Sequence, residues 1–162
     1  MKFCKVRDVK SPERGTSKAA GIDFFVPNGT GIIKIYPHTD RLIPSGIKME
    51  IPEGYMLMAA DKSGVVTSED ACRQAGRKPK PDAFNSPVIL GAKIVDEDYQ
   101  GEIHIHLINT GTTDVVIEPG MKIAQFILVP VSYEGLEEVS EAELFSRSSE
   151  RGNGALGSTG SF

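Results

Sequence analysis

The sequence predicts an all-β domain, and three observations predict it. Short apolar runs recur along the 162 residues, each closed by Gly, Pro, Asn or Asp. Turns stand between them at Pro27-Asn28-Gly29, Pro52-Glu53-Gly54 and Glu118-Pro119-Gly120. In each, Pro pre-sets φ near about −65° and Gly accepts positive φ. Helical periodicity is thin. Many short strands with regular turn signals fit a sandwich or barrel, not a parallel α/β sheet.

Taken in order, the apolar runs place strands at 22–26, 31–36, 41–51, 55–60, 88–95, 102–109, 114–117 and 122–131. Short helices are expected at 68–75, after Thr67 or Ser68 as N-cap, and at 137–145, with Ser140 or an earlier residue near its start. Residues 68–87 are polar, basic at Arg73, Arg77, Lys78 and Lys80, and broken by Pro79, Pro81 and Pro87. A segment of that length is expected to be a surface excursion, functional or mobile. Residues 146–162 are rich in Gly and Ser and cannot bury enough apolar area to order themselves. The expected organisation is therefore a β-domain at 1–145, with a surface insert at 68–87, and a flexible arm at 146–162.

The net charge of −4 argues against stable nucleic-acid binding, which carries a basic footprint. Two cysteines, Cys4 and Cys72, make no disulfide framework and fit a reducing compartment. Charged residues from Lys2 onward interrupt any signal-like run, and no stretch reaches the ~20 apolar residues of a membrane span. A soluble, cytoplasmic chain without membrane contact is expected.

Five segments carry chemistry. Arg151 to Gly160 offers successive Gly-rich N–H groups that can wrap an anion, with Arg151 as a bidentate charge. It also offers the hydroxyls of Ser158 and Thr159, or it is simply a loose tail. Asp61-Lys62-Ser63-Gly64 offers a cation, a hydroxyl and open N–H groups, the parts of a phosphate site or of a plain turn. Lys93 to Glu102 reads as a β-hairpin with an acidic tip at Asp96, Glu97 and Asp98. One carboxylate there could activate a water, two could bind a divalent ion, or the tip is only polar. Gln125 is the odd polar residue in an apolar strand and needs a partner if buried. His104 and His106 share one strand face, but no third zinc ligand stands at a suitable spacing.

The order of the first four of these segments, with Ala20 to Phe24 ahead of them, resembles the five motifs of the trimeric dUTPase family. Ala20-Gly21-Ile22-Asp23-Phe24 looks like the first and Asp61-Lys62-Ser63-Gly64 like the second. Lys93 to Glu102 looks like the third, Gly120 to Phe126 like the fourth, and Arg151 to Gly160 like the fifth. The resemblance spans nearly the whole chain and implies a jelly-roll-like β-barrel. It also implies a homotrimer whose sites lie between subunits. The third motif of each site comes from one subunit, motifs one, two and four from a neighbour, and the tail from the third. The implied reaction converts dUTP and water to dUMP and pyrophosphate, with Mg²⁺ held on the triphosphate and not directly by the protein. The implied role is to limit uracil incorporation into DNA and to supply dUMP for thymidylate synthesis.

By position, the resemblance implies that Asp96 activates the attacking water. Tyr99 packs on the deoxyribose and leaves no room for a 2′-hydroxyl. The segment near Lys93, Val95 and His104 reads the uracil edge. Ser63 and Gly64 hold phosphates beside Lys62, and Gln125 supports the α-phosphate or its water. Arg151 and the loop with Leu156, Gly157 and Ser158 close over the γ end, and Asp23 helps dock the arm. Four departures stand out. Lys62 replaces the usual Arg and loses its fork. Leu156 replaces a uracil-stacking aromatic, and Lys93 replaces a Gly. The 68–87 insert lengthens the link between motifs two and three. Two other readings keep the fold: a dCTP deaminase-type or bifunctional enzyme, and a catalytically weak regulatory protein.

Overall fold

The computed structural model describes residues 1–62, 69–76, 78, 84, 86–150 and 152. Twelve strands run through them: β1 (Lys2–Lys5), β2 (Glu13–Arg14), β3 (Ile22–Phe25), β4 (Ile33–Ile35), β5 (Asp40–Pro44), β6 (Ile47–Glu50), β7 (Tyr55–Ala60), β8 (Val88–Leu90), β9 (Ile94–Val95), β10 (His104–Asn109), β11 (Val115–Ile117) and β12 (Lys122–Pro130). Two short helices, α1 (Glu69–Gln74) and α2 (Glu141–Leu144), and one 3-10 turn at Asn28–Thr30 complete the described elements. The all-β expectation holds, in a jelly-roll-like arrangement of open antiparallel sheets. The largest has the order β2-β3-β12-β7-β9, and a second has the order β5-β10-β8. Two ribbons, β1-β6 and β4-β11, accompany them.

Side-chain alternation sets the faces. Along β10, Ile105, Leu107 and Asn109 are buried while His104 points outward, as a half-buried strand requires. β3 is buried at all four positions, three apolar and one the carboxylate of Asp23. Phe24 of β3 and Phe126 of β12 meet with ring centroids 4.5 Å apart inside the core. Asn109 is the polar knot of that core. It is fully buried, takes hydrogen bonds from Ser86 Oγ (2.9 Å) and Gly111 N (3.1 Å), and donates to the carbonyls of Ile35 (3.0 Å) and Thr113 (2.8 Å).

Several boundaries differ from the sequence expectation. The run 41–51 breaks at Ser45-Gly46, where Gly46 takes φ +73°, a value that favours glycine. The run 88–95 divides at Gly91 to Lys93, because β8 pairs with β10 while β9 pairs with β7. The segment 93–102 is therefore not a hairpin. β9 and β10 belong to different sheets, and the acidic segment is the corner by which the chain crosses between them. β1 and β2 were not expected, since they are short edge elements with largely exposed, charged residues and no alternation. The 68–87 excursion ends inside the domain, with Phe84 and Ser86 buried.

The chain divides into two compact units, Met1–Ser132 and Tyr133–Phe162. In the second, helix α2 is a single turn, shorter than 137–145. Ser140 caps it in a reciprocal capping box with Glu143. No helix among the described residues is long and apolar enough to cross a membrane.

Candidate active site

Three of the expected segments meet at one end of the large sheet. Gln125 of β12 lies opposite Asp23 of β3 on one side and Ala60 of β7 on the other. The register alone thus brings Gly21-Ile22-Asp23, Asp61-Lys62 and Gln125 side by side from positions far apart in the chain. Gln125 Nε2 donates to the Asp61 carbonyl at 3.1 Å, which gives the odd polar residue its partner. A Cβ on Gly21 would overlap the Gln125 amide oxygen and stand 2.8 Å from its Cδ, so the glycine is the clearance for this side chain.

Asp23 is 3% exposed and ties the cluster together. Its carboxylate accepts from Lys62 Nζ at 2.8 Å and from Lys122 Nζ at 3.1 Å. Burial alone would raise its pKa, but the two lysine hydrogen bonds and their charges prevail and hold it below the ordinary carboxylate value. The arm-docking role expected of Asp23 would therefore act through these two ammonium groups, since both carboxylate oxygens are engaged. Lys62 keeps a quarter of its side chain in solvent, so its charge remains open to an anionic ligand.

The third segment forms a separate cleft of about 280 Å³, lined by Leu42, Ala92, Val95, Asp96, Tyr99 and His104 together with Ile94 and Ile103. Its polar corner is built around one carbonyl. The Glu102 oxygen accepts from Tyr99 Oη at 2.9 Å and from His104 Nδ1 at 2.8 Å. Tyr99 N–H closes the turn onto the Asp96 carbonyl at 3.2 Å. Among the described residues no donor meets the Asp96 carboxylate. Glu97 and Glu102, by contrast, are anchors: Glu97 Oε2 accepts from Gly54 N at 2.6 Å, and Glu102 Oε1 from Gly46 N at 2.7 Å.

Of the expected base-reading residues, Val95 and His104 line this cleft and Lys93 does not. The Lys93 carbonyl is taken by Ala59 N at 2.6 Å, and its ammonium turns to Asp61 Oδ2 at 3.7 Å. The Lys93 side chain thus belongs to the Asp61-Lys62 cluster. His104 and His106 are not a metal pair. His106 Nε2 meets Asp40 at 2.9 Å and its Nδ1 accepts from Ala92 N, while His104 holds Glu102. Ser63, Gly64, Arg151, Leu156, Gly157 and Ser158 lie outside the described residues.

The cleft and the cluster stand apart on one chain. Val95 is opposite Leu57 and Ile94 opposite Met58, so the register carries Asp96 toward Met56, at the far end of β7 from Ala60. Four residues of strand separate the two positions by about 13 Å. Sequence reasoning missed Asp61, Lys122 and Arg7. Asp61 and Lys122 adjoin residues already singled out. Arg7 reaches Glu102 across 95 positions of sequence, and no local pattern announces such a contact.

A family model described as dUTPase matches residues 54–160. The deoxyuridine 5′-triphosphate nucleotidohydrolase of Chlamydia trachomatis serovar L2 is 35% identical over 159 residues, covering 98% of this chain and 97% of the relative. Among solved structures, the Staphylococcus bacteriophage 80alpha dUTPase with dUPNHPP has a TM-score of 0.76 at 22% identity, covering 98% and 97% of the two chains. A mutant dUTPase from phage phi11 of S. aureus, described with a structural Mg(II) ion, has a TM-score of 0.68 at 19% identity, covering 86% and 96%.

Proposed function

The chain belongs to the dUTPase family and is a dUTP diphosphatase, and on that premise we propose that Asp96 is the general base of its reaction. The carboxylate takes a proton from a water whose oxygen attacks the α-phosphorus. The new O–P bond gives dUMP, and the bond to the bridging oxygen breaks to release pyrophosphate. What supports this assignment is the cleft. Asp96 lies on its wall with Tyr99, Val95 and His104, and its carboxylate is not spent on a neighbour, unlike those of Glu97 and Glu102.

Each other role follows from the chemistry of a polyanionic substrate. Such a reaction needs positioning and charge neutralisation more than covalent chemistry. Lys62, with Ser63 and Gly64, supplies charge and donors to the phosphates. Gln125 supports the α-phosphate region. Tyr99 packs on the deoxyribose, and the backbone near Val95 with His104 reads uracil. Arg151, Leu156, Gly157 and Ser158 serve the γ end of the substrate. Mg²⁺ would be carried on the triphosphate, since it binds through substrate phosphates with few protein carboxylates. When bound, such an ion would neutralise phosphate charge during the attack.

The assembly is a homotrimer. The separation of about 13 Å along β7 between Asp96 and the Lys62–Gln125 cluster supports a site shared between subunits, because one chain holds the base and the phosphate groups at opposite strand ends. The fold and composition suit a soluble cytoplasmic protein.

The test is a substrate panel of dUTP, dCTP and UTP with Mg²⁺, read for pyrophosphate and ammonia. Pyrophosphate from dUTP alone is the expected result. Ammonia from dCTP would move the chain to deaminase or bifunctional chemistry. Silence on all three would leave a binding protein on the same fold.

A further inference from the structure

We propose that the Arg7–Glu102 ion pair is the positioning element that sets discrimination between deoxyribose and ribose. The proposal rests on Tyr99 being the sugar-packing residue. Arg7 Nε and Nη2 meet the two Glu102 carboxylate oxygens at 2.7 and 3.0 Å. This is the fork-to-fork geometry that fixes direction as well as distance. Glu102 also accepts from Gly46 N, so its side chain is held from the N-terminal segment and from the β5–β6 corner at once. Only 14% of that side chain is exposed.

The consequence runs through the main chain of the same residue. The Glu102 carbonyl is the acceptor for both Tyr99 Oη and His104 Nδ1. Clamping the side chain therefore fixes the oxygen that orients two walls of the cleft. Gly101 adds a clearance, since a Cβ there would overlap the Tyr99 hydroxyl and lie 2.5 Å from Cζ. Tyr99 is left with one seat, set by an arginine far away in sequence. Arg7 touches none of the reacting atoms. Its effect is to keep the ring close enough to leave no room for a 2′-hydroxyl.

The experiment compares kcat/KM on dUTP and UTP for the parent, Arg7→Ala, Arg7→Lys, Glu102→Gln and Tyr99→Ala in the full chain, with thermal unfolding in parallel. Arg7→Ala is expected to lower the dUTP/UTP ratio about tenfold, since small misplacements of positioned groups are felt strongly in rate. Arg7→Lys keeps the charge but loses the fork, and its ratio should fall between parent and Arg7→Ala. Glu102→Gln keeps an acceptor for Gly46 N and serves if Arg7→Ala does not fold. Equal losses on both substrates, or no change in ratio in either the Arg7 or the Glu102 variants, would overturn the proposal. If Tyr99→Ala shifts the ratio and these do not, the proposal fails and the Tyr99 assignment stands. If Tyr99→Ala leaves the ratio unmoved, the Tyr99 assignment itself fails and the proposal falls with it.

Discussion

Replacing Asp23 by Asn removes one negative charge from between two cations with almost no change of shape. The carboxylate is 3% exposed, with Lys62 Nζ at 2.8 Å and Lys122 Nζ at 3.1 Å. Breaking a buried pair by removing one partner costs about 3–5 kcal/mol. Here the side chains of Lys62 and Lys122 are 25% and 35% exposed, so water recovers part of the loss. The expected destabilisation is then about 2 kcal/mol. In a chain of this size that lowers Tm by roughly 4–8 °C. Urea unfolding at matched protein concentration measures it, with a lower midpoint at unchanged m-value.

The pH dependence gives a second handle. Asp23 has its folded-state pKa held below the ordinary aspartate value by its two lysine partners, against the effect of burial. Its contribution is therefore present above the unfolded pKa and is lost as pH falls through the folded value. The difference between parent and Asp23→Asn should be full at neutral pH and shrink below 3.8. A variant within about 0.5 kcal/mol of the parent at neutral pH, the range of an ordinary surface change, would refute the reasoning. So would a difference that stays constant into acid.

Three further outcomes follow from the same geometry. Gly21→Ala should displace the Gln125 amide from Asp61 and lower kcat severalfold in a folded protein, measured by pyrophosphate release; parental kcat would remove Gln125 from the site. Asn109→Ala should cost about 3 kcal/mol or more, because Ser86, Gly111, Ile35 and Thr113 all lose a partner in the core; urea unfolding checks it. Truncation after Ser149 should leave the unfolding free energy within about 0.5 kcal/mol and cut kcat; full activity would show that the arm is dispensable.

The parts of the molecule that were legible in sequence are those whose signal is local. β7 lies at its expected bounds because an apolar run stands between Pro52-Glu53-Gly54 and the polar Asp61-Lys62. Ser140 could be named as a helix start because a capping box is written within four residues. Pairing was not legible. The crossing between sheets at 96–101 looks like a hairpin because periodicity reports which residues face a core, not which strand lies alongside. For the same reason the direction of the Lys93 side chain could not be read. Its side chain follows Asp61, which pairing with β7 brings near. Exposed edge strands such as β1 carry no alternation to read, and Arg7 could not be linked to Glu102 without the fold.

The assignment of Asp96 as general base is tested most directly by Asp96→Asn. Turnover of dUTP is measured as pyrophosphate release, alongside binding of a non-hydrolysable dUTP analogue. The variant should unfold like the parent and bind the analogue with parental affinity, while kcat falls by about 10²–10⁴-fold, the contribution of a positioned general base. Turnover near the parental rate in a protein that folds and binds would contradict it.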